Sequence, residues 1–159
     1  MLWMLTAALL GTAPAEAGGR CYARGGGITT IDYVSAEEEA EKARRRADAT
    51  MSGGVDSIGA YVYVSIQRPS LDLALEDQHS VVIVKDGREV ARRRGSTGPE
   101  GVPGVPVGTL NLWRGGLLVT VPAPPFEVYA IDHIFAHRCG WRVEADGKVR
   151  KMKRREMAH

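Results

Sequence analysis

Residues 60–92 read AYVYVSIQRPSLDLALEDQHSVVIVKDGREVAR, and this stretch decides the fold. Ala60, Val62, Val64 and Ile66 alternate with Tyr61, Tyr63, Ser65 and Gln67, the period of a strand with one buried face. Arg68-Pro69-Ser70 stops that strand, because proline cannot donate to a ladder. Val81-Val82-Ile83-Val84 is apolar at every position, as a central strand is. Lys85-Asp86-Gly87-Arg88 is a tight turn, since Asp-Gly accepts the positive φ of a type I′ hairpin. Glu89–Arg92 is the return strand.

Downstream, Gly95–Gly108 (GSTGPEGVPGVPVG) reads as an exposed loop, too rich in Gly and Pro for a helix or a long ladder. It lacks the Gly-Lys-Ser/Thr ending and the preceding βα context of a phosphate loop, so nucleotide binding is not expected. Leu110–Trp113, Leu117–Val121 and Phe126–Phe135 are further strands, the last two separated by Pro122, Pro124 and Pro125. Trp113-Arg114-Gly115-Gly116 places an aromatic beside a turn, and Trp113 and Trp141 are assigned to packing. Arg138–Glu144 and Lys148–Lys151 form a closing hairpin around Asp146-Gly147. Strands about ten residues apart with turn signals between them predict a mainly β fold. The expected architecture is a small antiparallel β-sandwich, or an open barrel, with one peripheral helix near the N-terminus.

That helix opens at Ser35. Ser35-Ala36-Glu37-Glu38 is a capping box. Acids fill the first turns and Lys42, Arg44, Arg45 and Arg46 the last, in keeping with the helix macrodipole. Ala36, Ala40, Ala43 and Ala47 make a thin apolar stripe, and Gly53-Gly54 ends the segment.

The first residues, MLWMLTAALLGTAPAEA, are apolar from Leu2 to Leu10 and end in the A-x-A site Ala15-Glu16-Ala17. This reads as a signal peptide over residues 1–17, cut after Ala17, although only the α-amino group charges its n-region. A lipoprotein is not expected, because Cys21 follows Arg20 and Gly18 stands where leucine would. Residues 18–147 then form one β-rich domain and residues 148–159 a basic C-terminal tail. The expected location is periplasmic or secreted. Cys21 and Cys139 are the only cysteines, so one bridge between them is expected in an oxidising compartment. There is no CxxC pair for thiol–disulfide catalysis.

Composition bounds the function classes. Of 159 residues, 44% are hydrophobic and 25% charged, which is globular and not disordered. The net charge of +2 excludes a strongly basic nucleic-acid packager, and the mature chain holds no apolar run long enough to span a membrane as a helix.

No G-x-S-x-G, H-E-x-x-H or S-x-x-K motif is present. Asp132-His133 and His79-Ser80 look like dyads, but neighbours on a strand point to opposite faces. His133 and His137 would share a face about 13 Å apart on a regular strand, at ~3.3 Å per residue, too far for one zinc ion. They converge only if a bulge or helix intervenes. Lys148, Arg150, Lys151, Lys153, Arg154 and Arg155 crowd the tail, with Arg92-Arg93-Arg94 as a second cluster. Such charge suits anionic surfaces. Without interleaved aromatics it does not suit single-stranded nucleic acid.

The sequence thus leads to an exported, non-enzymatic binding or structural module of the envelope or medium, with no cofactor implied. Its partner would be a protein or an envelope component. One alternative is a small metal-dependent or hydrolytic enzyme using His79, His133 and His137. The other is a polyanion-binding protein acting through the basic tail.

Overall fold

The computed structural model describes residues 19–23, 26–50, 56–70, 78–95, 105–107 and 112–157. The expected signal peptide, Gly53-Gly54 and residues 96–104 lie outside them. In chain order the elements are β1 (Cys21–Ala23), β2 (Gly27–Val34), α1 (Ala36–Thr50), β3 (Tyr61–Arg68), β4 (His79–Lys85) and β5 (Arg88–Arg94). They continue with β6 (Val105–Val107), β7 (Leu112–Thr120), β8 (Phe126–Asp132), β9 (His137–Val143) and β10 (Val149–Lys151). A 3-10 turn at Arg154–Glu156 follows.

The strands form two five-stranded antiparallel sheets, ordered β1-β2-β3-β7-β6 and β10-β9-β8-β4-β5. Ile31, Val62, Val64, Leu117 and Val119 of the first sheet share one buried cluster with Val81, Ile83, Phe126, Val128, Trp141 and Val143 of the second. This is the expected mainly β sandwich with one helix near the N-terminus, and neither sheet closes into a barrel. Each fully buried Val or Leu side chain contributes about 1.5–3 kcal/mol, so this interlayer holds the sheets together. Trp141 is wholly buried, and its Nε1–H donates to the Gly19 carbonyl at 3.2 Å. Its indole is therefore satisfied inside the core.

Both Asp-Gly turns form. Asp86 and Gly87 take φ of 51° and 72° between β4 and β5, and Gly147 takes 83° between β9 and β10. The expected bridge is present: Cys21 of β1 joins Cys139 of β9, with Cα atoms 6.0 Å apart. It links the sheets across a sequence separation of 118 residues. The loop-entropy model gives about 5 kcal/mol for such a loop, and measured bridges typically give about 2–4 kcal/mol.

Several boundaries differ from the sequence reading. The strands expected at Leu110–Trp113 and Leu117–Val121 are one strand, β7, running through Gly115 and Gly116, which pair with Ile66 and Ser65. Glycine serves close approach there and not a turn: a Cβ on Gly116 would overlap the Tyr63 ring and hydroxyl. The strand expected to reach Phe135 stops at Asp132. Its carboxylate Oδ1 accepts the Ile134 and Phe135 amides at 2.9 and 3.1 Å, and Ala136 takes φ of 50°. The chain therefore turns over residues 133–136 and His137 opens β9.

The expected Gly95–Gly108 loop contains the short edge strand β6, where Pro106 costs nothing because an edge leaves one side of the ladder unpaired. Strands β1 and β2 were not expected at all. In α1, the Ser35 hydroxyl accepts the Glu38 amide at 3.2 Å as the capping box requires. The helix runs on to Thr50, however, so its bases lie mid-helix and the last turn has none. Of the alanine stripe, Ala43 is buried and Ala36 exposed. Glu39, 2% exposed, fills the gap and pairs with Arg46 at 2.7 Å.

Candidate functional site

The β3 pattern that buries Val62, Val64 and Ile66 extends by one more step to Arg68, which is 1% exposed. Its Nη1 donates to the Gln67 and Ile28 carbonyls at 2.9 and 3.2 Å. Its Nη2 lies 3.2 Å from Thr29 Oγ1, 3.3 Å from Asp132 Oδ2 and 3.4 Å from His79 Nε2. Thr29, His79 and Asp132 are all buried. A Cβ on Gly27 would fall 2.5 Å from Arg68 Cδ, so glycine is what admits the guanidinium here. Burial pushes the Arg68 pKa down further than Asp132 pushes it up. One end of the sandwich interior is thus polar, and between these groups and His137 lies a cavity of about 10 Å³. That is room for a water molecule at most.

The two sequence doublets separate as strand geometry demands, and their members recombine across the β4–β8 ladder. His79 sits opposite Asp132 in register, with Nε2 3.6 Å from Oδ2 inside the sandwich. Ser80 and His133 meet on the other side, Oγ to Nε2 at 2.7 Å. This is nucleophile-to-base spacing. Ser80 is buried, though, and the pair lines none of the cavities described here. His133 and His137 do not converge. The turn sends His133 to Ser80 and places His137 Nδ1 3.8 Å from Cys139 Sγ. The trio His79, His133 and His137 therefore does not assemble into one site.

The basic tail divides into two groups. Lys148 pairs with Asp146 at 3.1 Å, and Arg150 pairs with Glu156 at 3.2 Å and Glu144 at 3.5 Å. Val149–Lys151 belong to the sheet as β10, and Met152 behind them is buried. Lys151, Lys153 and Arg154 instead line a groove of about 970 Å³, together with His137 and Arg138. None of Lys151, Lys153 and Arg154 forms an ion pair within 4.0 Å among the described residues, although the Lys153 charge acts on Glu156 from further off; the Lys151 ammonium donates to the Arg20 carbonyl at 2.9 Å. Arg155 is exposed and does not line the groove.

The buried lining of the groove is the Cys21–Cys139 bridge, Gly140 and Met152; Phe135 and Met157 are partly buried, and Tyr22, 68% exposed, flanks them. Gly140 lets Met157 close in, since a Cβ there would lie 2.9 Å from Met157 Sδ. Arg138 is held with its guanidinium 4.3 Å from the centre of the Tyr129 ring, a cation–π contact. The C-terminal turn that carries Lys153 and Arg154 is fixed by Glu156, whose carboxylate accepts the Lys153 amide at 2.6 Å. That hydrogen bond, with Arg150, holds the Glu156 carboxyl below its usual range.

No helix among the described residues is long and apolar enough to cross a membrane. Comparison with known protein families, curated proteins and solved structures returned no match.

Proposed function

We propose that the protein is an exported, non-enzymatic binding module that holds an acidic, partly apolar ligand in the groove beside its disulfide. The observation that carries this reading is the set of cations Lys151, Lys153 and Arg154 lining the groove, none of them in an ion pair within 4.0 Å among the described residues. Apolar and sulfur-bearing side chains line the same groove, so a charged head and an apolar body would both find partners there. The bridge supports an oxidising compartment, which agrees with export after cleavage at Ala17.

The test is calorimetric titration of the chain beginning at Gly18 with dodecyl phosphate, and separately with heparin. A charge-assisted hydrogen bond contributes about 1.5–3 kcal/mol, so Lys153→Ala with Arg154→Ala should weaken dodecyl phosphate binding at least about tenfold. Lys148→Ala should change little, because Asp146 already neutralises Lys148. Equal binding by the double variant and the parent would sink the proposal. Heparin binding that falls equally with every tail substitution would favour a diffuse polyanion surface. N-terminal sequencing of protein from the envelope or medium tests export, and an intact Met1 would defeat it.

A further inference from the structure

His137 and Cys139 are two residues apart on β9, so both side chains point to the same face of the sheet. Cys21 reaches that point from the other sheet, through β1. The donor atoms of Cys21, His137 and Cys139 all lie within 4.8 Å of one another, and all three residues line the open groove. Two sulfurs and one imidazole are the donor set of a zinc site with one position left to solvent or ligand.

We propose that reduction of the Cys21–Cys139 bridge converts this end of the groove into a Zn²⁺ site with Cys21, His137 and Cys139 as protein ligands. The geometry needs little rearrangement. With Zn–S near 2.3 Å and Zn–N near 2.0–2.1 Å, tetrahedral ligands lie about 3.6 Å apart for sulfur and nitrogen and about 3.8 Å apart for two sulfurs. His137 Nδ1 already stands 3.8 Å from Cys139 Sγ. The two sulfurs must separate and Cys21 Sγ settle against the imidazole from within 4.8 Å, which side-chain rotation serves with the Cα atoms left 6.0 Å apart. The groove supplies the entry path and the fourth position. Its cations do not oppose the ion, because two thiolates cancel the charge of Zn²⁺.

The reaction balances with a dithiol as reductant. Its two sulfurs form a disulfide, and two electrons and two protons pass to Cys21 and Cys139 as their S–S bond breaks. Zn²⁺ then displaces both thiol protons and takes the His137 lone pair. The bridged form offers only the imidazole and holds the ion weakly. The site is therefore gated by redox state. It stands on the donor geometry and does not depend on an acidic ligand occupying the groove.

Zinc titration against a competing chromophoric chelator decides the matter, with the protein bridged and again after dithiothreitol treatment and its removal without oxygen. One zinc per chain should bind after reduction and none at comparable affinity before. His137→Ala should weaken binding by about tenfold or more. Cobalt substituted for zinc should give the visible bands of a tetrahedral thiolate site. Near-ultraviolet circular dichroism of the aromatic side chains follows whether the reduced chain stays folded. Zinc uptake only by a chain that has lost that signal would overturn the proposal. So would equal affinity in the bridged and reduced forms, or in His137→Ala and the parent.

Discussion

Replacing Asp132 by asparagine tests whether the polar end of the sandwich is held by charge. The substitution keeps the shape of the side chain and leaves Oδ1 able to accept the Ile134 and Phe135 amides, so the β8–β9 turn is preserved. What changes is the other atom: Oδ2, 3.3 Å from Arg68 Nη2, becomes an amide that no longer accepts. Arg68 and Asp132 are 1% and 3% exposed, so bulk water does not take the place of the lost carboxylate. Leaving one member of a buried ion pair uncompensated costs about 3–5 kcal/mol. With an m-value near 2 kcal/mol/M in urea, the unfolding midpoint should fall by about 1.5–2.5 M. Arg68→Met combined with Asp132→Asn should recover much of that loss, because it removes the uncompensated buried cation while Oδ1 still accepts the two turn amides. The assay is equilibrium urea unfolding followed by tryptophan fluorescence. A loss below about 1 kcal/mol for Asp132→Asn would refute the reasoning.

Two further outcomes follow from the geometry. Gly116→Ala places a methyl group against the Tyr63 ring and should destabilise the fold by about 1–3 kcal/mol, whereas Gly116→Ala with Tyr63→Val should regain stability. Glu156 has its pKa lowered in the folded chain, so its contribution is present above its unfolded pKa and fades as pH falls through the lower folded value. Amide exchange at Lys153 should therefore accelerate as pH drops below about 4.5 relative to the intrinsic rate, and Glu156→Gln should abolish that dependence.

The fold was legible where alternation was uninterrupted and turns were explicit. Val62, Val64 and Ile66 and the two Asp-Gly turns are enough to define β3, the β4–β5 hairpin and the closing hairpin. The polar site was not legible, because apolar pattern reading stops at the first charge. Parity would have found it. Arg68 continues 62-64-66, His79 precedes 81-83, and Asp132 continues 126-128-130, so all three point inward at the same end of the sandwich. Strands β1 and β2 escaped because Thr29 and Thr30 break the apolar run of Ile28 and Ile31, and Thr29 turned out to serve Arg68. Glycine in β7 read as a turn for want of Tyr63 opposite it. The expected bridge is present because only two cysteines compete. The groove was beyond sequence, since its lining joins β1 to the C-terminal turn, more than a hundred residues away.

The two outer strands of the second sheet, β5 and β10, have a bearing on how copies of the protein meet in solution. Strand β5 carries four arginines against one glutamate, and β10 carries Arg150 and Lys151 beside a single valine. Among the described residues no strand pairs with the outer side of either, and such an edge is one that another chain's edge would otherwise extend. A second copy approaching edge-on meets like charge along either side of this sheet. Repulsion between such edges reaches only about 8 Å at physiological ionic strength and less in concentrated salt. Colloidal behaviour is thereby tied to the salt of the medium. Dilute buffer should keep the copies apart, and strong screening should remove the barrier without altering a single contact inside the fold.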